Sequence, residues 1–416
     1  MIKKILHKSK SPNAKVLIEN FISLTVLKLA GFVFPLLTLP YLARVLGVEN
    51  FGKIAFATSV IVFFETLVDY GFNYTATRDV AKNKTDLNYV SKVFSNVLSA
   101  RIILLLISLI VLLLCIYFIP SFQENKLILL LTFSYIPGYI FFPEWVFQAI
   151  EKMKYITLLN LISKIIFTLL VFVVIKDKSD FIYQPILTAI GFFISGVIAL
   201  YILHFKLDIR FVKPKKKEIY EIIKGSTNMF FSLFLPNLYT NFSVVYLNKI
   251  AGPQSIGIYS GGFKFIGIFE QLMQVLSRTF YPFLARRMDK HNAYIKIGLY
   301  ISIISSISLF FLTDYLIELF LTPEFYGAKD VLKIMSISPF FLFLMNTYGQ
   351  NYLVLVGKES ILRNIILFCS ILGFITTILL INKYQYIGVA ISITFTWGIR
   401  GILTWFFANK HKVQHG

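Results

Sequence analysis

The 416-residue sequence is poor in the groups that catalysis and metal binding draw on. It has two cysteines, Cys115 and Cys369, and both lie inside apolar runs. A thiol there behaves as a small hydrophobe, so neither a disulfide nor a metal site is expected. The five histidines, His7, His204, His291, His411 and His415, fall in polar stretches at helix ends, with no two at ligand spacing. There is no GxxxxGK followed by Ser or Thr, no GxSxG and no zinc motif. The chain therefore has no machinery of its own for cleaving phosphates, which argues against ATP-driven transport. No catalytic residue, metal or cofactor is expected. Charge is scarce too: Asp, Glu, Lys and Arg together make up 15% of the residues, and the acids number 21. The first apolar run is long and lacks a small-residue cleavage pattern, which makes it a first span and not a removed signal.

What is abundant is apolar surface. Hydrophobic residues make up 57% and aromatic residues 17% of the chain, and the mean hydropathy is +0.73. No soluble domain of this length tolerates such a surface, and the class is an all-α polytopic membrane protein. A bilayer core of about 30 Å needs roughly 20 apolar residues per helix. Twelve such runs can be placed, at 18–42, 52–72, 93–118, 127–148, 155–175, 183–203, 227–248, 256–276, 296–318, 333–355, 361–381 and 386–407. They are continuous and too long for the alternating segments of a membrane barrel. Lys and Arg number 41, for a net charge of +20. With the N-terminus in the cytoplasm, the segments on that side (1–17, 74–92, 149–155, 204–224, 278–296, 357–363 and the tail) hold 27 of the 41, and the opposite side holds nine. That bias sets the orientation, and an even number of spans puts both termini inside. The basic residues are scattered over short segments instead of forming one patch, which argues against nucleic acid as a partner.

Residues 41–52 read YLARVLGVENFG, and 205 positions later 246–257 read YLNKIAGPQSIG. Carried on ungapped from 41–70 to 246–275, the match keeps eight identities in thirty, among them Gly47/Gly252, Gly52/Gly257 and Glu65/Glu270. The offset is close to half the chain, which points to an internal duplication. The longest polar connection, HFKLDIRFVKPKKKEIYEIIKG at 204–225, is the natural linker. The organisation expected is an N-terminal lobe at 1–205, a basic cytoplasmic linker at 206–224 and a C-terminal lobe at 225–416, the lobes being parallel repeats about an axis along the membrane normal. In each copy the paired glycines suit a tight turn between one span and the next.

An ionisable side chain in hydrocarbon costs between about 3 and more than 10 kcal/mol, so it is kept where it faces a partner or a water-filled cavity. Lys28 lies about ten residues into the first run and Lys264 about eight into the eighth. Lys164 in the fifth run is a third central base, and Arg400 lies nearer the end of the twelfth. Glu65 and Glu270 are the repeated acids. Arg101, at the inner edge of an apolar run, reads as an interface anchor, and Asp69, Glu144, Asp314 and Glu318 read as interface groups near span ends. Prolines are placed to break four runs: Pro35 and Pro40 in the first, Pro137 and Pro143 in the fourth, Pro236 in the seventh and Pro339 in the tenth. A central site lined by cations with few paired acids prefers an anion, and phosphate is the strongest common candidate.

The stretches PLLTLPYLARVLGVENFG (35–52), DYGFNYTATRDVAKNK (69–84), EWVFQAIEKMKYIT (144–157), GSTNMFFSLFLPNLYTNFSVVYL (225–247) and GIYSGGFKF (257–265) together resemble the polysaccharide-repeat, or O-antigen, flippases. These share a superfamily with multidrug and toxic compound extrusion transporters and the lipid II flippase. The resemblance covers nearly the whole chain. It implies two six-helix lobes packed as a V, with an inner cavity opening alternately to each face of the bacterial cytoplasmic (inner) membrane. An undecaprenyl-diphosphate-linked oligosaccharide would place its head group there while its lipid tail stays in the bilayer, and a polymerase and a chain-length regulator are the protein partners implied. In the lipid II flippase branch, basic residues on the first and eighth spans face the cavity, and Lys28 and Lys264 fall on those spans. With Lys164 and Arg400 they form the expected pyrophosphate-binding set, and Glu65, Glu270 and Asp69 are the acids that would couple or counter them. The family's DFG-like turn appears as Asp69, Tyr70, Gly71 and Phe72, a gate or topology element. Two rival functions weigh less. A cation-coupled drug exporter of the same fold would show acids dominating its centre. A glycosyltransferase or polymerase would carry a large outer loop, whereas the longest outer connection, 319–332, has about fourteen residues.

Overall fold

Backbone groups cannot stay unpaired in hydrocarbon, so a chain this apolar satisfies them within its own helices. The computed structural model describes residues 12–411, apart from the side chains of 12–22, 24, 25, 28, 278, 279, 282, 283, 285 and 286. Among the described residues there is no strand. The α-helices are α1 (Pro12–Asp69), α2 (Phe72–Lys82), α3 (Leu87–Phe118), α4 (Pro120–Glu124), α5 (Lys126–Phe133), α6 (Tyr135–Phe141), α7 (Glu144–Ala149), α8 (Met153–Val174), α9 (Tyr183–Tyr201), α10 (Lys216–Asn237), α11 (Asn241–Arg286), α12 (His291–Phe320), α13 (Ala328–Met335), α14 (Ser338–Leu344) and α15 (Glu359–Lys410). Two π-helices, Ile202–Lys206 and Met345–Val354, extend α9 and α14.

Eight helical stretches are long and apolar enough to cross a membrane, and two of them, of 54 and 52 residues, are far longer than one crossing. At about 1.5 Å per residue each exceeds twice a core of about 30 Å. The 52-residue α15 doubles back at Gln385 (φ 50°, ψ −127°). Its Thr376 and Thr377 hydroxyls each lie 3.0 Å from Ser392 Oγ, a contact no straight helix makes across fifteen or so residues. Eight stretches, two of them doubled, stand against the twelve runs read from the sequence. The two runs not among the eight are the seventh and eighth, which lie in α10 and α11, and prolines interrupt three runs without removing the fourth or tenth from the eight. The fourth run is cut into α5, α6 and α7, the seventh is interrupted between Asn237 and Asn241 just after Pro236, and the tenth is divided into α13, α14 and a π-helix. The first run departs from the expectation, because α1 passes through Pro35 and Pro40 and leaves helical geometry only at Gly47. A proline costs one backbone bond, and the Thr38 hydroxyl adds one beside them, donating to Phe34 O at 3.1 Å.

The chain gathers into two units. The first holds the chain up to Thr38, Ile61–Lys176 and Ile182–Phe231; the second holds Leu39–Val60, Asp177–Phe181 and the chain from Ser232 onward. The hairpin around Gly47 thus groups with the C-terminal half of the sequence, and its repeat mate lies in the same unit. Gly47 (φ 71°, ψ 172°) and Gly252 (φ 72°, ψ −178°) adopt the same backbone conformation, one that favours glycine. A turn later the two copies touch. A Cβ on Gly52 would overlap the carbonyl oxygen of Pro253, and one on Gly257 would overlap that of Val48. Val48 and Pro253 are themselves 205 positions apart, so the contact is a local two-fold made of equivalent residues.

The symmetry stops at the turn itself. The Val48 N–H donates to Glu324 Oε2 at 3.0 Å, and Lys178 Nζ stands 3.8 Å from the same carboxylate. The Asn50 side chain donates to Lys178 O at 2.8 Å, and Phe51 meets Phe325 edge-on with centroids 5.6 Å apart. Gly252 faces open space. The close backbone approach gives a prediction: Gly52→Val and Gly257→Val should each abolish the yield of monodisperse protein in size-exclusion chromatography, whereas Gly267→Ala, where a Cβ meets nothing within 4 Å, should leave it unchanged.

Candidate functional site

The last two turns of α1 put Glu65 and Asp69 on one face, four residues apart. The chain then turns through Tyr70 (φ 47°) and Gly71 (φ 81°) into α2, which starts with Phe72 and Asn73. A Cβ on Gly71 would press on Met229, and Tyr70 stacks on Phe230 at 4.6 Å, so the DFG-like turn is packed against α10. Across from Glu65 and Asp69, α6 presents Tyr135 and Tyr139, again four apart, and α3 brings in Arg101.

These groups form two neighbouring hydrogen-bonded sets. Arg101 Nη2 donates to Asp69 Oδ1 at 2.5 Å and to Asn73 Oδ1 at 2.9 Å. Tyr139 donates to Asp69 at 3.2 Å and accepts from Asn73 Nδ2 at 2.9 Å, with the guanidinium 5.7 Å from its ring centroid. Tyr135 donates to Glu65 Oε2 at 2.5 Å. A further pair lies within electrostatic reach on α7 and α8, where Asn160 donates to Glu144 Oε1 at 2.6 Å and Lys164, one turn on, is within reach of the same carboxylate. Arg101 is 1% exposed and Asp69 8%. The anchor reading of Arg101 is therefore overturned, and Asp69 and half-buried Glu144, near the ends of their runs, turn out to be paired within the protein. Nearness to the end of an apolar run located these residues, but what fixes them is partners on helices remote in sequence. Asp314 and Glu318 do lie exposed, paired with Lys333 at 3.0 Å and Lys329 at 2.7 Å.

The second unit is different. Lys264 on α11 is exposed between half-buried Phe263 and buried Phe265, and among the described residues it has no carboxylate partner. Arg400 on α15 is half-buried, lies against the Tyr239 hydroxyl, and keeps a buried Nε without a hydrogen-bond acceptor among the described residues. No carboxylate pairs with it among them either. Glu270, the repeat mate of Glu65, accepts from Gln274 at 3.4 Å. Lys28 falls on α1, and its side chain lies outside the described residues. The structure thus gathers Glu65, Asp69 and, through Glu144, Lys164 in the first unit, and places Lys264, Arg400 and Glu270 in the second. Sequence reading passed over Tyr135, Tyr139, Asn73 and Asn160. A usable signal was present in the i, i+4 spacing of Tyr135 and Tyr139 and in an arginine inside a long apolar run.

Residues 17–288 match the family of polysaccharide biosynthesis proteins, and the chain belongs to that family. It is 27% identical over 406 residues, 95% of this chain and 97% of the other, to an Escherichia coli (strain K12) protein named as an O-antigen transporter. Among solved structures it resembles the lipid II flippase MurJ in an inward closed conformation, with a TM-score of 0.72 at 17% identity, covering 94% of this chain and 87% of that one. A multidrug resistance MATE family transporter in an inward-facing conformation gives a TM-score of 0.67 at 13% identity, covering 94% and 97%. The fold is that of these multi-pass membrane transporters.

Removing one member of a buried ion pair strands the other and costs about 3–5 kcal/mol, while replacing both with apolar groups is often neutral. Arg101→Leu and Asp69→Leu should each lower the thermal unfolding midpoint in detergent sharply, and the double replacement should recover most of the loss. Additive losses would show that the two residues do not act as a pair.

Proposed function

We propose that this protein is a flippase that moves an undecaprenyl-diphosphate-linked oligosaccharide repeat unit, destined for O-antigen or a similar surface polysaccharide, across the bacterial cytoplasmic membrane by alternating access. The observation that carries the reading is the uneven pairing of charge. Arg101 is ion-paired to Asp69 and Lys164 lies within electrostatic reach of Glu144, while Lys264 and Arg400 have no carboxylate partner among the described residues. An unneutralised cation in a membrane protein is retained where an anion comes to meet it, and a diphosphate offers the strongest charge-assisted acceptors. The kinship with a protein named for O-antigen transport supports the same substrate class.

In this reading Lys264 and Arg400 hold the diphosphate, joined by Lys28 and by Lys164, whose charge Glu144 tempers. Glu65, Asp69 and Glu270 serve as counter-charges or coupling groups. The diphosphate crosses because its charge is matched at each stage, which removes the desolvation penalty that forbids unassisted passage. The chain acts as a transporter and not as an enzyme. Both termini lie in the cytoplasm, following the Lys and Arg bias, and a polymerase and a chain-length regulator take over the product outside.

Lys264→Ala and Arg400→Ala, each expressed in cells lacking the native gene, should cut surface polysaccharide by more than about tenfold, the loss of one good charge-assisted contact being worth at least 1.4 kcal/mol. Lipid-linked repeat unit should accumulate on the cytoplasmic leaflet while protein levels stay normal. Unchanged display together with lost drug resistance would move the protein to the drug exporters.

A further inference from the structure

Residues 207–215 form the longest non-helical run among the described residues. The segment leaves the π-helical end of α9, turns at Asp208 (φ 52°) and leads to α10. It is pinned, not loose. Ile209 is 2% exposed and its N–H donates to Leu203 O at 2.9 Å. The Arg210 N–H donates to Ser91 Oγ at 3.0 Å and the Val212 N–H to Ser95 Oγ at 2.8 Å, which lays the segment as a strap along the first turns of α3. The start of α10 is tied to the same helix. Glu218 takes Lys92 at 2.9 Å and Asn96 Nδ2 at 2.8 Å, and these two hold its carboxyl below the usual carboxylate range.

The outward side of the strap has an unusual make-up. Phe211 is 60% and Val212 45% exposed, and Arg210, Lys213, Lys215, Lys216 and Lys217 are all exposed around them. Of the acids nearby, Asp208 is engaged by Arg210 at 2.9 Å and Glu218 by Lys92, with Lys215 a distant 3.9 Å from Glu218, and exposed Glu221 stands one turn beyond Lys217 without reaching it within 4 Å. Lys213, Lys216 and Lys217 have no carboxylate within 4 Å among the described residues. Extended backbone cannot lie in hydrocarbon unless it is covered, so a strap on the outside of a membrane protein sits at the boundary between bilayer and water. At that depth an exposed Phe seats among headgroups, and lysines meet lipid phosphates.

We propose that the strap docks anionic phospholipid headgroups, with Phe211 and Val212 inserted at headgroup level and Lys213, Lys215, Lys216 and Lys217 facing the phosphates. The charge complementarity favours this occupant over a protein partner, because the apolar patch is only two residues wide while the cations continue along the strap. Bound lipid would fix the connection through which the first unit leads into α10.

The test uses the full-length protein in phosphatidylcholine vesicles containing a trace of spin-labelled phosphatidylglycerol or spin-labelled phosphatidylcholine, with electron spin resonance reading the immobilised fraction. The wild type should prefer phosphatidylglycerol. The Lys213→Gln/Lys215→Gln/Lys216→Gln/Lys217→Gln variant should lose that preference by at least about threefold, given the attraction expected of each surface lysine. A variant losing four lysines from the neighbouring connections, Lys82→Gln/Lys84→Gln/Lys152→Gln/Lys154→Gln, should keep most of it. No preference in the wild type, or equal loss in both variants, overturns the proposal. Phe211→Trp gives a second reading, against the signal of the three native tryptophans: added emission quenched by brominated lipid supports it, and added emission quenched by aqueous acrylamide overturns it.

Discussion

A guanidinium buried in a membrane protein can stay only if something close by carries its charge, and Arg101 finds that in Asp69. Net stability is not what such a pair supplies, since taking both ions out of water costs about as much as their attraction returns. What it supplies is position. The planar fork reaches Asp69 and Asn73 together in one arrangement of α1, α2 and α3, and Tyr139 closes the ring from α6. Four elements separated by up to 70 residues are registered by one side chain. With Arg101 so occupied, its charge is already answered within the protein.

The two glycine turns share a backbone solution and differ in chemistry. Gly47 and Gly252 adopt one conformation, and Gly52 and Gly257 each clear a path for the other copy's carbonyl, because in both cases only a missing Cβ permits the approach. Around that common frame the side chains have diverged. One turn is capped by Glu324 and flanked by Lys178 while its mate is open, and Glu65 receives a tyrosine hydroxyl where Glu270 receives an amide.

Much of this was legible in the sequence, and what was not has a physical reason. The membrane class, the helical fold and the glycine turns follow from hydropathy, run length and a 205-residue offset, all of which are local or additive. The kinks at Pro143, Pro236 and Pro339 follow from the missing N–H. The error at Pro35 and Pro40 came from treating every proline as a break, when a helix can run on if the lost bond is its only cost. The partners of Arg101, Asp69 and Glu144 went unread for a deeper reason: run length reports depth along one helix, whereas a side chain's partner lies across helices, and no linear pattern records which faces meet. The grouping of residues 39–60 with the C-terminal half is of the same kind.

The broken helices bear on mechanism through what they cost. Each interruption frees backbone groups that must find partners away from water, and an unpaired one costs several kcal/mol. The chain meets that demand locally: the Thr240 hydroxyl donates to Pro236 O at 3.0 Å and the Ser243 hydroxyl to Thr240 O at 2.6 Å at the break before α11. At the π-helix, Asn351 donates to Ser277 O and to Tyr294 Oη, both at 3.1 Å, and is fully buried. The interruptions also coincide with the polar groups of each unit, since Tyr135, Tyr139 and Glu144 stand on the pieces of the fourth run and Tyr239, which touches Arg400, sits in the gap of the seventh. Straight helices would bury the same apolar surface without these repairs. Places where a sequence breaks local rules and then compensates are where function is found.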